Sequence, residues 1–425
     1  LGDREKRVVE VDPNVACLGQ DQRPLARLGV EAHQVESGLF AVLDLGPQAP
    51  VRHPVDARDV EVVGGVAGPL AAALGPLGDL QVEPADRAAL ARDHAESDLG
   101  VVGAGERVAV IGTGASAIQF VPEIQPKVQH LTLFQRTPQW VLPKPDHPIP
   151  KIEETFFRLP FTLNAWRKML YGGFETFGIG FRRPAILKQI QKLGLAHLKV
   201  AIKDPELRAK LTPDYTLGCK RVLMSNNYYP ALNKSNVDVF HTGLKEVRGN
   251  TLVGQDGSEC EVDTIILGTG FFVTEPPIAN HIYNDAGESL SDMWKDGMQA
   301  YRGTTIAGLP NAFMVLGPNL GIGHNSAFIV IEAQINYIVS TLTTMRDQQL
   351  QRIEVKADVQ RDYNRKVQQD LQGTVWNTGG CSSYYLDKNG FNSVGFPWST
   401  LEMQRLLKQF DSDNYTVTPA TQPVF

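Results

Sequence analysis

Three sets of residues have the types and spacing to do chemistry. The first is Gly112-Thr113-Gly114-Ala115-Ser116-Ala117, a G-x-G-x-x-A run. Before it, Arg107–Ile111 is a β-branched stretch of the kind that forms a buried parallel strand. After it, Ile118, Val121 and Ile124 follow a helical period, with Pro122 expected to kink or shorten the helix. Gly112 permits a tight turn, and Gly114 lets backbone approach a pyrophosphate. Ala117 is small enough for the helix to pack on the strand, while Ala115 and Ser116 open a helix N-terminus whose unpaired N–H groups suit an anion. A lone G-x-G-x-x-A is a weak signal. Here residues 130–135 supply a second strand, so the whole strand–turn–helix–strand unit predicts dinucleotide binding.

The end of that second strand carries selectivity. An acid there would bind a ribose hydroxyl, but the chain has Arg136-Thr137 and no acid before Asp146. A guanidinium and a hydroxyl suit a 2′-phosphate, which predicts NADP(H). The second set is Gly218-Cys219-Lys220-Arg221. Its adjacent cations read either as surface charge or as one cation on a phosphate and one in a site. The third set lies at strand ends. Residues 264–267 run into Gly268-Thr269-Gly270, which allows close approach to a ligand or a crossover between domains. Residues 312–316 lead through Gly317-Pro318-Asn319-Leu320-Gly321-Ile322-Gly323 into a helix over 326–345, with Asn325 as its N-cap. This second glycine-rich loop is placed to stabilise a phosphate or an electron-rich ring.

The elements that must position these groups occupy only part of the chain. Its 425 residues exceed one ordinary domain, and 42% hydrophobic residues suffice for sizeable cores. Forty-one Lys and Arg against 47 Asp and Glu give −6, which argues against a nucleic-acid partner. No run of 18 apolar residues predicts a spanning helix, and no signal core opens the chain, so the expected location is cytoplasmic. The cysteines at 17, 219, 260 and 381 show no metal or redox spacing, and no clustered His/Cys set predicts a metal. Helices are expected over 152–159, 165–178 and 184–202. Residues 181–203 hold six Lys and Arg and no acid. Peripheral contact with an anionic membrane is one reading of that segment, and the solvated face of a helical insert is the favoured one.

Residues 1–105 differ in kind. They contain no Ile, Thr, Met, Tyr or Trp and a single Phe, whereas the other 33 aromatics lie beyond them. No long amphipathic helix or clean alternating strand is legible there. The missing types are mainly those with AT-rich codons, so the stretch reads as disordered or as a GC-rich gene translated in the wrong frame. The organisation expected is this atypical region, then an NADPH-binding domain over 106–265 with a helical insert at about 151–210, then 266–425.

Taken together, the motifs resemble the flavin-containing, Baeyer–Villiger monooxygenase family. The resemblance rests on 108–117, Phe134-Gln-Arg-Thr-Pro138, Gly218-Cys-Lys-Arg221, 263–271 and 317–326, in the family's order. The late Cys381-Ser-Ser-Tyr-Tyr385 and Phe396-Pro-Trp398 are similar to the 4-hydroxyacetophenone monooxygenase-like subgroup. The resemblance implies an α/β fold with two Rossmann-like dinucleotide-binding domains. Residues 266–425 would be the C-terminal half of an FAD domain plus an extension. It also implies NADPH, FAD and O2, with a C4a-peroxyflavin passing one oxygen atom to a ketone, an aldehyde or a soft heteroatom of a small organic substrate. Arg221 would steady the developing oxyanion, and Lys220 would join Arg136 and Thr137 on the 2′-phosphate. Thr269-Gly270 would mark the crossover, with Asn319 and Asn325 near the flavin. The family's N-terminal G-x-G-x-x-G and its Phe-x-Gly-x-x-x-His-x-x-x-Trp stretch are missing, so the FAD domain is incomplete. A flavin-free NADP(H)-binding relative is the alternative.

Overall fold

The computed structural model describes residues 105–421, together with the strands Arg7–Glu10, Leu39–Val42 and Val62–Val63. The expectations of disorder or a misread frame for 1–105 otherwise lie outside the described residues. The three short strands are too brief for an alternating pattern to show in sequence, and partner strands supply the order that pattern could not.

A five-stranded parallel sheet organises the molecule. Its strands stand in the order Arg7–Glu10, Thr264–Leu267, Arg107–Ile111, His130–Phe134, Val237–Phe240. The motif strand is therefore central, and Val108, Ala109 and Val110 are buried, as its β-branched run requires. Arg107 latches it to the segment that leads into the adjoining strand, through Glu261 (2.7 Å) and Asp263 (3.0 Å). This sheet runs through Leu267, two residues past the expected domain boundary. On one face the helix Ala117–Ile124 buries Ile118, Val121 and Ile124 against Val110, Leu131, Leu133 and Ile266. Pro122 neither splits nor ends this helix, which continues to Ile124.

The insert folds into the three expected helices, the first over Lys151–Phe157, and the middle one is longer than its sequence suggests. One helix spans Pro160–Arg182, straight through Gly172-Gly173, and another spans Pro184–Ala201. Pro160 and Pro184 sit at first-turn positions, where a missing N–H costs nothing. The glycine pair costs about 1 kcal/mol per residue, which the rest of a 23-residue helix can absorb.

Beyond the sheet, Leu244–Arg248, Thr251–Gly254 and Glu259–Glu261 form an antiparallel meander, with 249–250 and 256–257 at its turns. Ala312–Val315 pairs with Leu39–Val42, which pairs with Val62–Val63. The helix Ala327–Asp347 follows, and it is long and apolar enough to cross a membrane by length and composition. Val330, Ala333, Tyr337 and Met345 bury its inner side in a core with Phe313, Ile353 and Phe396. A polar knot braces this lobe: Asp411 accepts from the Tyr337 hydroxyl (2.6 Å) and pairs with Arg302 (2.8 Å). The N-cap of this helix is Ser326, whose hydroxyl accepts the Phe328 N–H at 3.2 Å, and not Asn325. Asn325 sits one residue too early and accepts the Ser326 N–H instead.

Candidate dinucleotide and active site

The parallel strands end in register, and the loops leaving them make the site. Gly112 N–H donates to Phe134 O (3.1 Å) and Gly268 N–H to Ile111 O (2.9 Å), so both glycine-marked ends lie side by side. At Gly112 φ is +114°, and a Cβ there would sit 2.2 Å from the Gly268 carbonyl oxygen. Gly114 is the opposite case, exposed and with open space where its side chain would be. The first glycine makes the turn and the second leaves room for a ligand. Thr113 is buried, and its hydroxyl donates to Thr137 O at 3.4 Å, which ties the turn to the strand carrying Arg136. Ala115, Ser116 and Ala117 follow, and the helix starts with no side-chain cap on its N–H groups.

Tyr215 brings the second cation set to this place. Its hydroxyl donates to Pro138 O (3.1 Å), while Lys220 Nζ lies 5.3 Å from its ring centroid. The Trp140 indole donates to Tyr215 O at 2.8 Å and holds the loop. Lys220 is half-buried. Burial pushes its ammonium pKa down, and the positive charge of Arg136 pushes the same way against the weaker help of Asp214. Neither Lys220 nor Arg136 forms an ion pair among the described residues. Two cations held in each other's field make a receptor for a compact dianion.

Arg221 is exposed at the edge of this loop, and its charge reaches Tyr385, whose hydroxyl burial pushes well above the ordinary range. The link is covalent. Cys219 and Cys381 form a disulfide across 162 residues of sequence, a pairing that their spacing does not announce. Spacing rules look for neighbours along the chain, whereas this pair meets only in the fold. Cys260 is free and half-buried, and burial raises its thiol pKa. No group of acids, His and Cys able to hold a metal occurs among the described residues.

The second glycine loop departs from its expected role. A Cβ on Gly317 would meet Gly303 O at 2.4 Å, one on Gly321 would meet Val394 O at 2.6 Å, and one on Gly323 would meet the Phe181 ring at 2.8 Å. These glycines make room for protein. Asn319 is buried at φ +57°, and its amide donates to Asn392 O (2.7 Å) and Gly395 O (3.0 Å). Asn325 donates to Glu175 at 3.3 Å. Thr269 and Gly270 remain exposed, with open space at Gly270.

Sequence reasoning missed the group that docks this loop on the insert. His324 Nε2 donates to Glu175 at 3.2 Å in a pocket closed by Thr400. Burial lowers the His324 pKa. Burial alone would raise Glu175, but hydrogen bonds from Thr400 and His324 outweigh it and hold the carboxyl low. The neutral His and ionised Glu thus share one hydrogen bond. A helix-period scan carries no sign of it, since the partners are 149 residues apart.

No family model matches the chain. A Baeyer-Villiger monooxygenase of Pseudomonas aeruginosa is 49% identical over 317 residues, covering 74% of this chain and 60% of that protein. Another, from Streptomyces coelicolor, is 48% identical and covers 74% of this chain and 61% of its own length. Over about three quarters of its length the chain is thus similar to these Baeyer–Villiger monooxygenases. It spans about 60% of the length of these curated relatives. Among solved structures, OTEMO in complex with FAD and NADP superposes with a TM-score of 0.65 at 21% identity, over 76% of this chain and 68% of that one. Closed cyclohexanone monooxygenase gives 0.64 at 23% identity, over 75% and 68%. The α/β fold with its parallel sheet is thus that of Baeyer–Villiger monooxygenase structures, and this relative covers them in part.

Proposed function

We propose that the chain is an NADPH- and O2-dependent flavoprotein monooxygenase, transferring one oxygen atom to a ketone, an aldehyde or a soft heteroatom of a small organic molecule. The observation that carries the nucleotide half is the Arg136–Lys220 pair beside the open Gly114 turn. Arg136 and Lys220 grip the 2′-phosphate, Thr137 adds a hydroxyl, and the helix start at Ala115 to Ala117 takes the pyrophosphate. Bound FAD would supply a hydride acceptor and the means of activating O2. Of the residues expected to hold it, Thr269 and Gly270 present open backbone, whereas Asn319 and Asn325 are already engaged within the protein. Arg221, exposed and without an ion-pair partner among the described residues, is the cation available to a developing oxyanion.

The packing of Gly317, Gly321 and Gly323 on protein atoms favours a second reading, a flavin-free NADP(H)-binding relative. Purified protein separates the two. Yellow protein whose NADPH oxidation rises with a ketone or sulfide supports the monooxygenase. Colourless protein that binds NADP+ supports the alternative, and protein that ignores NADP+ defeats both. The cytoplasm is the proposed location, where the Cys219–Cys381 bond would close only under oxidising conditions.

A further inference from the structure

The helical insert has two unlike ends. At its inner end Gly178, Gly180 and Phe181 are buried, and Phe181 stacks on Trp376 with ring centroids 5.5 Å apart. At the outer end, every residue from 161 to 170 except Thr162 is exposed, and the preceding helix Lys151–Phe157 buries nothing. The exposed side chains there are those a soluble surface avoids. Phe161 is 71% and Ile152 79% exposed, and Phe156, Trp166, Met169 and Leu170 join them. A contiguous apolar surface of this kind marks a site of association.

Charge and shape choose the occupant. Between 151 and 203 the chain carries ten Lys and Arg against three Glu, although the whole chain is at −6. One of those three, Glu175, is turned inward onto His324. A second copy meeting this face would set cations against cations. A protein partner would cover this tip from one side, whereas its exposed apolar residues, from Phe161 to Leu170, spread over about half of the helix circumference. A bilayer interface surrounds such a tip, takes Trp and Phe at headgroup depth, and pairs Arg167 and Lys168 with anionic headgroups.

We propose that the 151–170 tip of the helical insert docks the protein on the surface of an anionic membrane, without crossing it. This inference does not depend on the proposed reaction. The test is co-sedimentation of the full chain with vesicles of phosphatidylcholine alone and of phosphatidylcholine mixed with phosphatidylglycerol. The expected result is at least about tenfold stronger partition into the anionic vesicles, weakened by salt. The triple variant Phe161→Ser, Trp166→Ser, Met169→Ser should lose that partition while keeping the thermal midpoint and NADP+ binding, since its three sites are exposed. Arg167→Glu with Lys168→Glu should weaken it without touching any apolar residue. Protein that stays in the supernatant overturns the proposal, as does partition indifferent to lipid charge or to the variants. A dimer broken by the triple variant, with no vesicle binding, overturns it in favour of a second copy.

Discussion

Gly112 and Gly114 stand two residues apart in one motif, yet the structure gives them different work, and replacing each with Ala tells the two apart. At Gly112 the φ of +114° is strained for any L side chain, a cost of about 1–3 kcal/mol. Its new Cβ would also lie 2.2 Å from Gly268 O, far inside contact distance, and that atom is backbone. Relief requires the two strand ends to part, at the expense of Gly112 N–H to Phe134 O and Gly268 N–H to Ile111 O, at about 1 kcal/mol each. Gly112→Ala is therefore expected to cost about 3–5 kcal/mol, a fall of roughly 10 °C in thermal midpoint. Gly114→Ala meets nothing within 4 Å and needs no unusual φ, so its stability should stay within about 0.5 kcal/mol. Its methyl instead fills the space left for the pyrophosphate, and NADP+ affinity should fall at least about tenfold, or ~1.4 kcal/mol. Differential scanning calorimetry and isothermal titration on both variants read the two quantities. A normal midpoint for Gly112→Ala, or undiminished NADP+ binding by Gly114→Ala, would refute this division of labour.

Arg136→Ala should weaken NADPH more than NADH, and an equal loss for both would remove the 2′-phosphate from its place. Lys220 gives a pH signature. Its pKa is depressed in the free protein, and a bound phosphate raises it, so binding takes up a proton once pH exceeds the depressed value. NADP+ affinity should therefore decline as pH rises through that range, below the ordinary lysine pKa, and Lys220→Gln should flatten the profile measured by titration calorimetry. Arg221→Ala should abolish oxygenated product while NADPH-driven flavin reduction stays measurable by stopped-flow absorbance, and unchanged product formation would strip Arg221 of its role. At Gly178, a methyl would lie 2.6 Å from His324 Nε2 in a buried pocket, so Gly178→Ala should lower the thermal midpoint by several degrees, whereas Gly173→Ala, which meets nothing, should not.

Local signals carried the motif unit into view. Strand, turn, small residue and helix follow one another within thirty residues, and each is dictated by sterics that act over a few positions. The three helices of the insert were legible too, and only the middle one, Pro160–Arg182, is longer than the 165–178 its periodicity marks. Wherever the partner lies far along the chain, sequence is silent. Nothing about Tyr215 announces that it carries Lys220 to Arg136, nothing in Glu175 points to His324, and Asp411 gives no sign of gathering Arg302 and Tyr337. The glycines at 317, 321 and 323 show the opposite error: their spacing suggested a ligand loop, and their room is filled by neighbouring protein. Periodicity likewise showed the cations of the insert but not that its apolar side chains would stand exposed.

The bond between Cys219 and Cys381 closes the polypeptide into a ring, with Lys220 and Arg221 at its clasp. A protease cut anywhere inside that ring leaves the pieces joined until a thiol reductant is added. Dithiothreitol in a storage buffer is thus a reagent for this protein, able to loosen the grip that presents Arg221 beside Tyr385.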